Sequence, residues 1–147
     1  MKVNAAFFPT KVKALEEFGF EGQVLVQALW RIPNQSNRYL WFANSGEYRG
    51  LGENYGGLNT LSDDGLKFTD RRDHREAGAN SYGNHASKDV ERILFLRTTR
   101  FGQETFKFAG VFKPDLERSI LNVSAWKRVS DECSVPNGSW PQSETLT

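Results

Sequence analysis

Two apolar runs joined by a short polar turn constrain the fold of this chain more than any other feature. The runs are Val90–Thr98 and Glu104–Lys113, and the turn is Arg100–Gln103. Apolar and aromatic runs of this length, separated by a glycine-containing turn, predict a β-hairpin. Because successive side chains of a strand point to opposite faces, the second run is expected to present one aromatic face to a core. That face would consist of Phe106, Phe108, Gly110 and Phe112.

Weaker patterns predict the remaining elements. Val12, Leu15 and Phe18 recur at helical spacing and Gly19 offers a stop, so a short helix is expected from about Thr10 to Phe18. Alternation and turn residues predict further strands, the first of them apolar on both faces and therefore central in a sheet. These strands are Gln23–Ile32, Arg38–Ala43, Leu66–Thr69 and Ser119–Val129, with a short strand or ordered arm in Met1–Phe8.

A polar segment punctuated by glycines separates the first predicted hairpin from the second. Asn44–Asn84 shows no strong period apart from Leu66–Thr69, and a connection of this length is unusual in a compact domain. It is therefore expected either to be a functional loop region or to contain short strands that the pattern does not reveal. Within it, Asp70–Gly78 mixes charges of both signs and is predicted to form a helical turn or a solvated loop.

The elements add up to an α+β fold in which strands dominate. No long helix lies between the strands, so the pattern favours a small curled mixed sheet or partial β-barrel with one or two short helices over a doubly wound sheet. At 147 residues the chain suits one domain. We expect that domain in residues 1–130, followed by a tail rich in Ser, Pro and Gly in residues 131–147.

The charge balance and the single cysteine exclude several classes of function. Lys and Arg number 19 against 18 Asp and Glu, so the formal net charge of +1 provides no global basic field, and nucleic-acid binding would need a local patch. Cys133 alone cannot form an internal disulfide or a cysteine-rich zinc site, and it fits a reducing, cytoplasmic location. No membrane span, signal peptide or cofactor motif is evident, so neither a membrane nor a cofactor is predicted.

Aromatic and basic residues are the best candidates for ligand binding. Trp41 and Trp126 lie near predicted strand ends with small or polar neighbours. Most strand tryptophans belong to the core, so a role as walls of a ligand cage is the narrower of two interpretations. Basic residues cluster with acidic ones between Arg71 and Arg100. Such a cluster fits either phosphate binding beside aromatic side chains or a solvated charged face.

The two histidines support an alternative, enzymatic hypothesis. His74 and His85 lie in the polar segment with Asp70 and Asp73, where imidazole and carboxylate groups could hold a metal ion or act as a general base. No fixed ligand spacing such as HExxH accompanies them, so loop histidines with polar neighbours are the simpler interpretation. The enzymatic alternative is a metal-assisted nuclease or a nucleotide-transferring enzyme.

The stretch that leads into the phenylalanine-rich hairpin resembles a known superfamily. Tyr82-Gly83-Asn84-His85 is followed by Ile93–Arg97, ILFLR, and then by Phe106–Phe112, FKFAGVF. This order is similar to the last strands of PUA-like domains attached to bacterial restriction and helicase proteins, a superfamily that includes the SRA and EVE modules. The resemblance implies a small mixed barrel that binds nucleic acid, in several members by taking a modified base out of the duplex into an aromatic pocket. The matching positions are Tyr82, Asn84, His85 and Arg97.

The leading hypothesis is a non-enzymatic nucleic-acid recognition domain that binds a modified or flipped base. The predicted ligand-binding residues are Trp41, Tyr82, Asn84, His85, Arg97 and Trp126. Arg71, Arg72 and Lys88 are predicted to contact phosphates. DNA is favoured over RNA, and the near-neutral charge leaves a small ligand, a single nucleotide or a protein open. A protein partner or a homodimer is therefore kept as an alternative expectation. The remaining alternative is a protein-interaction module of a phage or defence system.

Overall fold

The structure is a computed structural model that describes residues 1–21, 28–33, 35, 37–44, 58–71, 90–117 and 123–134. Strands account for most of these residues, and one helix accompanies them. The elements are β1 (Phe7–Phe8), α1 (Lys11–Glu17), β2 (Leu29–Arg31), β3 (Arg38–Asn44), β4 (Leu58–Leu61), β5 (Lys67–Arg71), β6 (Glu91–Arg100), β7 (Gln103–Pro114) and β8 (Val123–Ser130). None of the described helical residues forms a helix long and apolar enough to cross a membrane.

All of these strands belong to one mixed sheet. Its order is β2-β3-β6-β7-β8-β5-β4, and β1 pairs with β7 beside this path. The pairing of β3 with β6 is parallel, whereas the other pairings are antiparallel. In the described part of the chain, β2 and β4 end the order and do not pair with each other, so the sheet is mixed and open.

The sheet curls strongly, as contacts between distant strands show. Trp41 of β3 and Phe68 of β5 have ring centroids 5.1 Å apart. Their strands are four steps apart in the order, which would separate them by about 19 Å in a flat sheet. One step further, Asn59 of β4 donates from Nδ2 to the backbone oxygen of Asn44 at the end of β3, at 2.8 Å. The predicted curled mixed sheet is therefore confirmed.

Helix α1 begins and ends where the sequence predicts. The Thr10 hydroxyl accepts a hydrogen bond from the Lys13 backbone N–H at 3.2 Å, which caps the first turn. Gly19 follows the helix with a φ of +86°, the left-handed conformation in which glycine is favoured. Because Ala14, Leu15 and Phe18 are fully buried, one face of this short helix packs on the sheet.

The core consists of two clusters on opposite faces of the sheet, which we call the helix-side cluster and the interior cluster. The helix-side cluster joins the helix to Phe42, Phe95, Phe106, Phe108 and Val111, among others. The interior cluster lies inside the curl and contains Trp41, Phe68, Leu94, Leu96, Ala109, Phe112 and Trp126, with Ala43. Both faces of the central strands are therefore dry, as in a sheet covered on each side.

A β-bulge in β7 divides the three phenylalanines between the two faces of the sheet. Phe95 pairs with Phe108, but the preceding Leu94 pairs with Gly110, so β7 has one extra residue at this point. The φ of Gly110 is +127°. An extra residue reverses the alternation of side chains, and Phe112 consequently joins the interior cluster while Phe106 and Phe108 stay on the helix side. The expectation that all three phenylalanines share one face is wrong.

Other boundaries differ from the prediction in smaller ways. The unpredicted strand β4 pairs with β5, and together they form a hairpin inside the glycine-rich segment. Asp70 and Arg71 belong to β5, so the start of Asp70–Gly78 is a strand and neither a helical turn nor a loop. The described residues 28–32 of Gln23–Ile32 include the three-residue β2, which pairs only with β3 and lies at one end of the described strand order, so the expected central position is wrong. Cys133, in the predicted tail, is buried and donates its backbone N–H to the oxygen of Met1 at 2.9 Å.

Candidate nucleic-acid interface

A cluster of two tryptophans and one arginine occupies the inside of the curl. The ring centroids of Trp41 and Trp126 are 5.2 Å apart, and the Arg92 guanidinium carbon lies 4.6 Å and 4.3 Å from them. Trp41 is 5% exposed and Trp126 is fully buried. A guanidinium over two indole faces is held by their π-electrons.

Two buried polar side chains lie next to this cluster. Asp70 and Ser124 are opposite each other in the β5–β8 ladder, and each is 1% exposed. The indole nitrogen of Trp126 donates to the Ser124 hydroxyl oxygen at 2.8 Å. A carboxylate, a hydroxyl and a guanidinium beside aromatic rings are the kinds of groups that bind planar polar ligands, although none of them lines the groove described next.

A groove of about 570 Å³ continues from the interior cluster towards the β6–β7 turn. The first half of β7 pairs with β1, and its second half, from Val111 onwards, pairs with β8. The groove lies near the point where β7 changes from one partner to the other. One wall is the β4–β5 hairpin and the other is the β6–β7 hairpin. The lining residues are Val3, Asn4, Asn59–Gly65, Leu96–Thr98, Lys107–Ala109, Arg128 and Asp131. The groove is large enough for a nucleobase or nucleotide.

The Arg128 side chain lies in the groove and extends from β7 to the β4–β5 turn. A Cβ atom placed on Gly110 would lie 2.4 Å from the Arg128 Cδ, and one placed on Gly65 would lie 3.1 Å from its Nη1. Because Gly110 and Gly65 have no side chains, they provide the space for Arg128 between the β7 bulge and the β4–β5 turn. Its guanidinium brings positive charge into a groove whose rim also carries Asp63, Asp64 and Asp131.

Arg97, a predicted ligand residue, lies on the helix side of β6 and not with the tryptophans. Its guanidinium carbon is 5.1 Å from the centroid of Phe106 in the helix-side cluster. Lys11 is a second positive charge near Arg97, and its Nζ lies 5.5 Å from the Phe42 ring centroid. Burial, and secondly the positive charge of Arg97, hold the pKa of Lys11 below its ordinary value of 10.5. The structure therefore separates Arg97 from Trp41 and Trp126.

Lys11→Met is expected to raise the melting temperature at neutral pH. The lowered pKa means that burial disfavours the charged ammonium in the folded state, so the penalty is complete below the lowered pKa and disappears as the pH rises towards 10.5. The advantage of the variant should therefore shrink over that window, which thermal melts at increasing pH would measure. Lys13→Met is the control, since that side chain is 61% exposed. An advantage that does not depend on pH would contradict the assignment to charge.

The other predicted residues lie mostly outside the described part of the chain. Tyr82, Asn84, His85, Arg72 and Lys88 lie there, as do His74 and Asp73 of the enzymatic alternative. Arg71 ends β5, and its side chain is not among those described. The segment 72–89 leaves β5 directly after Arg71 and returns at Val90, which packs on the interior cluster. Both of its ends therefore flank the cluster of Trp41, Arg92 and Trp126.

Sequence reasoning did not identify Ser124 and counted Arg92 only as a member of the basic cluster, and it expected Asp70 in a helical turn or a solvated loop. The signal for Arg92 is its alternation with Leu94 and Leu96, which puts a cation on an otherwise apolar strand face. Among the residues described, no group of three His, Cys, Asp or Glu side chains could hold a metal ion. Burial raises the pKa of the Cys133 thiol, which disfavours the reactive thiolate.

Comparison with known proteins agrees with this geometry. The family model described as "SET and RING associated domain" (SRA) matches residues 4–135. The chain belongs to the SRA domain family. The predicted resemblance to the PUA-like superfamily is therefore confirmed, and over far more of the chain than the stretch that suggested it.

A solved structure shares the SRA fold of this chain. It is "The 5-Hydroxymethylcytosine-Specific Restriction Enzyme AbaSI", with a TM-score of 0.64 and 21% sequence identity. The match covers 89% of this chain and 40% of the enzyme, so the chain corresponds to less than half of that protein. A search of curated proteins finds no match.

Proposed function

We propose that this SRA domain binds DNA and recognises a modified cytosine base that is rotated out of the duplex into the curled sheet. The observation that carries the proposal is the family match over residues 4–135. The modification that we propose, 5-hydroxymethylcytosine, is the one named for the restriction enzyme that shares the fold. In this view the domain is the reading part of a cytoplasmic bacterial restriction or defence system, and it needs no catalytic residues of its own.

The interior chemistry suits an extruded base. Extrusion costs a few kcal/mol of lost stacking and pairing, which aromatic surfaces and hydrogen bonds to the base edge offset. Trp41, Trp126 and Arg92 form a rigid aromatic and cationic wall, and Asp70 and Ser124 add buried polar groups beside it. Because Trp126 is fully buried, we assign it to supporting the pocket, and we assign the slightly exposed Trp41 to its inner surface.

The segment between β5 and β6 completes the proposed pocket. Tyr82, Asn84 and His85 would contact the base, since the two ends of their segment flank the tryptophan cluster. Arg71, Arg72 and Lys88 would contact phosphates from the same segment and fix the position of the duplex. Arg97, on the helix side of β6, would act from outside this pocket.

The near-neutral charge makes base recognition the main source of affinity. A formal net charge of +1 supports only weak binding to DNA of any sequence. Contacts to the extruded base must then supply most of the specific affinity. The proposal therefore predicts a high ratio of affinities for modified and unmodified duplexes.

A titration with duplexes that differ in one base tests the proposed function. Fluorescence anisotropy should show binding at least about a hundredfold tighter to a duplex with one 5-hydroxymethylcytosine than to the same duplex with cytosine. A duplex with 5-methylcytosine shows whether the hydroxyl is read. Equal affinity for all three duplexes would contradict recognition of the modification, and absence of binding to any of them would contradict DNA binding.

The phosphate contacts are tested in the same assay. The double variant Arg71→Ala/Arg72→Ala should weaken binding to every duplex alike and lower the slope of log affinity against log salt by about two. The control is Lys2→Ala. The Lys2 side chain is 71% exposed, and its Nζ lies 3.4 Å from Glu132 Oε1. An unchanged salt slope in the double variant would exclude these two arginines as phosphate contacts.

A further inference from the structure

The tip of the β6–β7 hairpin carries an exposed aromatic ring in a strained turn. Phe101 is 91% exposed, whereas Phe95, Phe108 and Phe112 are fully buried. The φ angles of Phe101 and Gly102 are +52° and +78°, so both central residues of the turn are left-handed. Such turns favour Asn and Gly, and a left-handed phenylalanine costs conformational energy. The fold gains neither burial nor an easier turn from this side chain, and strain of this kind is typical of functional positions.

Arg100 lies within cation–π distance of two aromatic rings next to this tip. Its guanidinium carbon lies 3.8 Å from the centroid of Phe7 and 5.0 Å from that of Phe101. The close contact with Phe7 restricts the arginine side chain, and a guanidinium that stacks on a ring can still donate hydrogen bonds from its edge. That edge is suited to a phosphate, which accepts two parallel hydrogen bonds from one arginine.

The same face of β6 connects this tip to the proposed base pocket. Alternation puts Arg92, Leu94, Leu96, Thr98 and Arg100 on one side of the strand, and the two leucines belong to the interior cluster. Lys107 and Phe7 are Cα partners across the β1–β7 ladder, so they share a face as well. Lys107 pairs with Leu96 in the other ladder, which places all of these residues on the interior side.

We propose that Arg100 and Phe101 form a second DNA contact, in which the arginine binds a backbone phosphate and the ring stacks on an adjacent base or sugar. The inference rests on the proposed function for its choice of DNA, and it goes beyond that function in assigning a site outside the base pocket. Arg100 and Lys107 supply positive charge on the β6–β7 wall, whereas Asp63 and Asp64 lie on the β4–β5 wall, so an anionic group is favoured at the β6–β7 hairpin. A bare ring beside a phosphate-binding arginine is the combination that nucleic-acid binding proteins use without reading sequence.

The length of β6 sets the reach of this second contact. Nine residue steps separate Arg92 from Phe101, which correspond to about 30 Å of strand. We take the duplex to run along β6 in this proposal. Because a duplex rises about 3.4 Å per base pair, it then reaches the tip once it extends about nine base pairs from the recognised base. Shorter duplexes should occupy the base pocket without touching the tip.

The decisive experiment compares Phe101 variants on duplexes of two lengths. Phe101→Asn suits the turn, so its melting temperature should equal or exceed that of the wild type. On duplexes extending about twelve base pairs on each side of the central base, it should bind about tenfold more weakly, because stacking on one aromatic ring is lost. The loss should be equal for 5-hydroxymethylcytosine and cytosine. On duplexes extending about five base pairs it should bind as the wild type does.

Three further variants provide controls. Phe101→Tyr retains the ring and should bind as the wild type does. Arg100→Lys keeps the charge but loses the planar stacking, and it should weaken binding to long duplexes only. Leu116→Asn removes an apolar side chain that is 47% exposed at the opposite end of β7, and it should change nothing.

The outcomes separate this inference from the proposed function. Wild-type affinity of Phe101→Asn for long duplexes would overturn the second contact, whether or not modified DNA is preferred, and would assign the exposed ring to a partner of another class. Weaker binding by Phe101→Asn to long duplexes, combined with equal wild-type affinity for cytosine and 5-hydroxymethylcytosine, would support the second contact and overturn base recognition. A wild-type protein that binds no duplex would overturn both.

Discussion

Gly110→Ala is expected to destabilise the fold by about 2–4 kcal/mol, because it combines backbone strain with a steric overlap. The φ of Gly110 is +127°, which alanine rarely adopts. The new Cβ would lie 2.4 Å from the Arg128 Cδ and 3.0 Å from the backbone oxygen of Ser130. Denaturant unfolding of the purified variant measures the loss.

Two comparisons isolate the causes of that loss. Gly102→Ala also places alanine at a positive φ, +78°, but its Cβ would meet no atom within 4 Å, so we expect roughly 1–2 kcal/mol. Removing the overlapping side chain in Gly110→Ala/Arg128→Ala should recover part of the loss beyond the sum of the single changes. If Gly110→Ala is no more harmful than Gly102→Ala, the bulge can relax, and the distribution of β7 side chains between two clusters does not depend on this glycine.

The position of Gly110 also explains why the hairpin was predictable and its faces were not. The boundaries of β6 and β7 follow from local runs of apolar residues and a glycine in the turn. Strict alternation then assigns Phe112 to the face of Phe106 and Phe108, whereas the bulge moves it to the interior. A glycine inside a strand is the sequence signal for such a bulge. Its exact position, and therefore which side chains change faces, depends on the pairing with the neighbouring strand.

The site was less predictable than the fold because it depends on curvature. Trp41 and Trp126 were predicted as candidates from their neighbours in sequence, yet their contact with each other and with Arg92 requires β3 and β8 to meet across the inside of the sheet. No local period encodes that contact. The short strand β4 was missed for a related reason, since LNTL acquires its role by pairing with β5 and not from its own apolar pattern.

Trp41→Ala is expected to cost about 3–5 kcal/mol of folding free energy and to abolish the preference for the modified base. The ring contacts Phe68 and Trp126 at centroid distances of 5.1 and 5.2 Å and lies beneath the Arg92 guanidinium, so its removal empties the centre of the interior cluster. Loss of binding in this variant alone would therefore not distinguish a pocket wall from a support of the fold.

Phenylalanine substitutions at the two tryptophans make that distinction. Trp41→Phe keeps an aromatic ring, so most of the stability should remain while the ratio of affinities for 5-hydroxymethylcytosine and cytosine duplexes falls. Trp126→Phe removes the indole donor to Ser124 from a fully buried position, so it should lower stability and leave the ratio unchanged. Equal ratios in both variants and the wild type would mean that both tryptophans act only in the core. Base recognition would then have to come from Arg92, Asp70 and Ser124 or from the segment between β5 and β6, because these parts of the proposed pocket keep their side chains in both variants.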